Sequence, residues 1–126
     1  MTPRSQPQKS IVLVLARDAV LAALIGLLLE LEDYEPVFAR PDERPEDAIN
    51  RLRPPLVVLL DGTLDTARSD LFHARAAVAG ARVVLFSEPL AGDEVRALAR
   101  QRDIAYLSMP VDRSTLGGVL RRAAAR

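Results

Sequence analysis

The chain is 126 residues long, 49% hydrophobic and 27% charged, the size and composition of one soluble globular domain. Seventeen basic side chains balance seventeen acidic ones for a formal net charge of +0, so the basic surplus of a polyanion binder is missing and a nucleic-acid module is disfavoured. The absence of cysteine excludes disulfides, thiol catalysis and thiolate metal sites, and a single histidine, His73, excludes a histidine-cluster site.

Residues 1–9 are polar and proline-containing and read as a disordered leader. They include Lys9, the only lysine among the seventeen basic residues. Between Ile11 and Leu29 only Arg17 and Asp18 are charged, and a charged pair near the middle of a ~20-residue apolar span would be costly in a bilayer. Residues 11–15 instead read as a strand feeding a helix over 18–32. No cleavage pattern follows a short apolar run, so the expected location is cytoplasmic, with no membrane partner.

A weaker strand follows at 36–39. A short helix at 45–52 opens on Pro45 and carries Glu46 and Asp47 in its first turn, where the helix dipole favours acids. Strands then read at 56–60, 83–86 and 104–107, and helices at 65–79, 92–101 and 112–125. The last helix sets Leu116, Val119, Leu120 and Ala123 on one face. None of the strands alternates cleanly with polar residues, which is the pattern of strands buried on both faces. Five strands alternating with five helices argue for an α/β fold, a doubly wound (βα)5 sandwich around a parallel sheet. Residues 10–126 are expected to form a single domain that ends after its fifth helix, without an output module.

Ligands and reactive groups in such sheets gather at the carboxyl ends of the strands. The first strand is followed by Ala16, Arg17 and Asp18, the third by Asp61, the fourth by Ser87, and the fifth by Ser108, Met109 and Pro110. The five-fold alternation, the run from Pro54 to Asp61, Ser87 at a strand end and the stretch from Tyr106 to Pro110 together resemble a response-regulator receiver domain over about residues 10–125. The 22 positions from Ser87 to Met109 match the family's spacing between its hydroxyl residue and its lysine.

The resemblance implies a flavodoxin-like sheet of order 2-1-3-4-5 and an aspartyl phosphotransfer switch of two-component signalling. Asp61 stands at the phospho-acceptor position, Ser87 at the hydroxyl and Tyr106 at the aromatic that swings inward on activation. The family holds Mg²⁺ on two acidic residues after the first strand and pairs the phosphoryl group with a lysine before proline. Here the acidic positions read Ala16 and Arg17, Asp18 lies one residue late, and the lysine position is Met109, before Pro110. A phosphoryl group adds up to about two negative charges, and its transfer depends on positioning and on neutralising oxygen charge. Without the lysine and the acidic pair, much of that neutralisation is gone. Arg17 could replace part of it or pair with Asp61 and close the pocket.

The expected function is therefore a stand-alone, atypical receiver that acts through protein–protein contact, without enzymatic activity, metal or cofactor. One alternative is a working phospho-acceptor receiver of a phosphorelay, with Mg²⁺ bound. Another is a small-ligand-binding flavodoxin-like domain, although Ala16-Arg17-Asp18-Ala19 lacks the glycines of a phosphate loop. In the first helix, Leu21, Leu24, Ile25, Leu28 and Leu31 are expected to cover the sheet. Ala22, Ala23, Gly26 and Leu27 are then left outside as a surface for a protein partner or a second copy. His73 is expected to be an exposed helix residue, and Arg121, Arg122 and Arg126 cations at a helix end.

Overall fold

A computed structural model describes residues 9–60, 64–87, 92–108 and 113–125. The elements run β1 (Ser10–Leu15), α1 (Ala19–Leu31), β2 (Tyr34–Phe38), α2 (Pro45–Leu52), β3 (Leu56–Leu60), α3 (Leu64–Arg68), α4 (Asp70–Ala79), β4 (Arg82–Ser87), α5 (Gly92–Arg102), β5 (Ala105–Ser108) and α6 (Arg113–Ala125). The strands form one parallel sheet of order β2-β1-β3-β4-β5, as the resemblance implies.

Strand pleating divides the core in two. Leu13, Val57, Leu59, Val83 and Leu85 point to one side and pack with Ile49 of α2, Phe72 and Ala76 of α4, and Val95 and Leu98 of α5. Val12, Val14, Val58, Val84 and Phe86 point to the other, against Ile25 and Leu29 of α1 and Leu116 and Leu120 of α6. Every residue of β3 is buried, which explains why its sequence shows no polar alternation.

The structure departs from the sequence reading in three places. The helix expected over 65–79 is two helices, because Ser69 adopts an extended conformation (φ −75°, ψ 118°) and its hydroxyl accepts the Phe72 N–H at 3.2 Å. That hydrogen bond caps α4 and cuts it from α3. Strand β2 begins two residues earlier than expected, since Asp33 turns with φ 67° and delivers the chain into the sheet at Tyr34. Pro36 is tolerated there because β2 is an edge strand, with one side free of ladder bonds.

The third departure concerns α1. Ile25, Gly26 and Leu29 are its buried residues. Leu24 and Leu31, expected to cover the sheet, are exposed, and Gly26, expected outside, lies inside. A Cβ on Gly26 would stand 3.2 Å from Cζ of Phe38, so the glycine admits the β2 side chain close to the helix. Of the outer set, Ala23 and Leu27 are exposed and Ala22 is half-buried. A helix that is apolar on every side carries no phase in its sequence, and the orientation is set by packing. Among the described residues, no helix is long and apolar enough to cross a membrane.

Candidate functional site

Leu15 of β1 pairs with Leu59 of β3, so the carboxyl ends of these strands lie side by side at the edge where the candidate residues were expected. Ala16 leaves β1 half-buried and Arg17 follows in solvent. Asp18 is extended (φ −84°, ψ 113°), and its Oδ1 accepts the N–H groups of Val20 at 2.8 Å and Leu21 at 3.2 Å. It is the N-cap of α1, satisfying two of the four backbone donors that a helix start leaves open. The Arg17 guanidinium lies 3.9 Å from the carboxylate of Asp65 in α3, with both side chains largely exposed. A loose exposed pair of this kind contributes about 0–1 kcal/mol.

Ser87 closes β4 in register with Ser108 of β5. The Ser87 side chain, and Asp61, Met109 and Pro110 in full, lie outside the described residues. Tyr106, in register with Leu85, is half-buried against the α2–α5 layer, and the Arg96 guanidinium stands 5.9 Å from its ring centroid. That separation is within cation–π range.

The residues that the resemblance assigns to Mg²⁺ do not fit it. The ion takes carboxylate and phosphate oxygens in near-octahedral geometry. Ala16 has no donor atom, Arg17 brings a cation, and an oxygen of Asp18 is held by the helix it caps. No group of three or more His, Asp or Glu side chains able to hold a metal occurs among the described residues.

Sequence reasoning missed the partners around this edge. Asp65 and Arg96 come from helices whose phase only the fold sets. Glu43 was missed as well: it anchors the loop after β2, accepting Arg51 Nε and Nη2 at 2.7 Å each and the Arg40 N–H at 3.0 Å. Hydrogen bonds from Arg51, then from the Arg40 backbone, pull the Glu43 carboxyl down to about 2. His73 is not the free surface residue expected: it is half-buried, its Nε2–H donates to the Ala67 carbonyl at 2.6 Å, and its ring meets Phe72 edge-on. Arg121 approaches Glu32 at 3.8 Å, an ion pair from α6 to the C-cap of α1.

No protein-family model matches the sequence, and no curated protein matches it. Solved structures do match in fold. A candidate pilus assembly-related protein from Burkholderia pseudomallei superposes with a TM-score of 0.72 at 18% identity, covering 98% of this chain and 96% of that one. A response regulator receiver protein from Burkholderia phymatum gives 0.71 at 19% identity, covering 93% and 96%. The receiver domain of a sensor histidine kinase from Pseudomonas aeruginosa, with a magnesium ion coordinated in its active-site cleft, gives 0.72 at 18%, covering 94% and 99%. The chain has the receiver-domain fold.

Proposed function

We propose that this chain is a non-enzymatic, cytoplasmic receiver-fold module of bacterial signalling that works by protein–protein contact rather than by phosphorylation of Asp61. The observation that carries this reading is the fate of the acidic positions after β1. One is Ala16, one is Arg17, and the nearest carboxylate, Asp18, is engaged as a helix cap. The Met109 identity supports it, since no lysine follows Lys9 in the chain. The similarity in fold to receiver domains of signalling proteins supports the signalling role. With zero net charge, the partner expected is a protein and not a nucleic acid.

Incubation with acetyl phosphate and Mg²⁺, followed by intact-mass measurement, tests the reading. The expected result is an unchanged mass. Addition of one phosphoryl group to the wild type, absent in Asp61→Asn, would establish instead a working phospho-acceptor receiver.

A further inference from the structure

We propose that the protein self-associates through α1, with two copies packing their exposed helix faces antiparallel about a two-fold axis. This deepens the interaction-module reading and rests on it.

Val20, Leu24, Leu27 and Leu31 are exposed at 76%, 45%, 55% and 47%. They account for four of the seven exposed large apolar side chains among the described residues. Isolated exposed leucines are ordinary, but a contiguous apolar stripe on one helix is not. Their spacing is 4-3-4, the seam along which paired helices interlock side chains. Ile25 and Leu29 hold the opposite side of the helix in the core, so the seam points outward. Phe38, 47% exposed and resting over Gly26, extends the apolar surface toward the edge strand.

Three observations favour a second copy as the occupant. The 4-3-4 spacing reads the same in both directions, so an antiparallel two-fold pairing sets Val20 against Leu31 and Leu24 against Leu27 of the other copy, with an apolar residue at each layer. The far end of the helix is acidic, with Glu30 and Asp33 exposed, while at its start the charges of Arg17 and Asp18 offset each other. Antiparallel packing keeps the two acidic ends apart and opposes the helix dipoles, whereas parallel packing would bring Glu30 and Asp33 of both copies together. Finally, the exposed area of the seam with Phe38 and Ala23 is roughly 500 Å² per copy, so a symmetric pair would bury about 1,000 Å² in all, the lower bound for a specific interface. The dimer should therefore be reversible.

Light-scattering mass across a wide concentration range tests the proposal. The wild type should rise from 13.8 kDa toward twice that value. Leu27→Glu should weaken association about thirtyfold or more, by burying an unpaired charge at the seam centre. Leu71→Glu, at a similarly exposed position on α4, should leave association unchanged. Circular dichroism of each variant confirms that it is folded. Because the chain has no cysteine, mixing Val20→Cys with Leu31→Cys protein under oxidation reads the direction of pairing. Mixed disulfides confirm the antiparallel seam, and Val20→Cys self-pairs in their place overturn it. A wild type that stays monomeric throughout, or a dimer indifferent to Leu27→Glu, also overturns the proposal. These results are independent of phosphorylation at Asp61, which the mass measurement with acetyl phosphate reads separately.

Discussion

Asp18 separates the two chemistries available to the edge beyond β1, because it can serve as a helix cap or as a displaced metal ligand. As a cap it accepts two N–H groups, at 2.8 and 3.2 Å, and its charge faces the positive end of α1. Loss of the cap costs ~1 kcal/mol, and loss of the charge–dipole interaction at an exposed site adds about 0.3 kcal/mol. Asp18→Ala should therefore destabilise by about 1.3 kcal/mol, and Asp18→Asn, which keeps the acceptor oxygen, by only ~0.3 kcal/mol. In a domain of this size the Ala variant should lose about 5 °C in Tm. Urea unfolding with and without Mg²⁺ gives both readouts. If Asp18 helped to hold the ion with a Kd of ~1 mM, about 10 mM Mg²⁺ would add roughly 1.4 kcal/mol to the wild type and much less to Asp18→Asn. The cap account predicts no Mg²⁺ effect in either protein. Equal losses for the Ala and Asn variants, or a Mg²⁺ stabilisation that the Asn variant lacks, would refute it.

Phe72→Ala empties a fully buried site between α4 and the sheet and should cost about 3–4 kcal/mol in urea unfolding, a loss below ~1 kcal/mol being incompatible with that packing. The Glu43 carboxyl, lowered from 4.5 to about 2, stabilises the fold fully above pH 4.5, and that contribution is lost as pH falls toward 2. Glu43→Gln should therefore flatten the fall in stability across that window, and equal pH slopes in the two proteins would contradict the Arg51 pairing. Gly26→Ala gains helix propensity of ~1 kcal/mol but presses on the half-exposed ring of Phe38, which can yield, so a net gain of about 0.5 kcal/mol is expected by thermal unfolding. A loss above ~1 kcal/mol would show that α1 sits against β2 without slack.

The strands were legible because burial on both faces writes unbroken aliphatic runs such as 56–60, and the helix at 45–52 because Pro45 and the acids after it mark its start. The face of α1 was not legible. Its thirteen residues include only one charged side chain, Glu30, so periodicity could not say which leucines meet the sheet. The α3–α4 break was written in Ser69 followed by Asp70, a capping signal hidden inside a continuous helical pattern. At the candidate site, the missing acidic pair and lysine could be read directly from residue identity. The use of Asp18 as a cap was legible in principle, since an acid just before an apolar helix is a favoured N-cap. Pairings such as Arg17 with Asp65 and Arg96 with Tyr106 depend on helix orientation across the sheet and leave no local trace.

An amide NMR titration with beryllofluoride and Mg²⁺, run on the wild type and on Asp61→Asn, decides whether Asp61 works as a phospho-acceptor, because beryllofluoride mimics a phosphoryl group on an acceptor aspartate. No displacement of the Ala16, Arg17, Asp18, Ser87 or Tyr106 amides is expected at saturating Mg²⁺ in either protein. Displacements at those residues that vanish in Asp61→Asn would show a functioning phosphotransfer switch and contradict the proposed function.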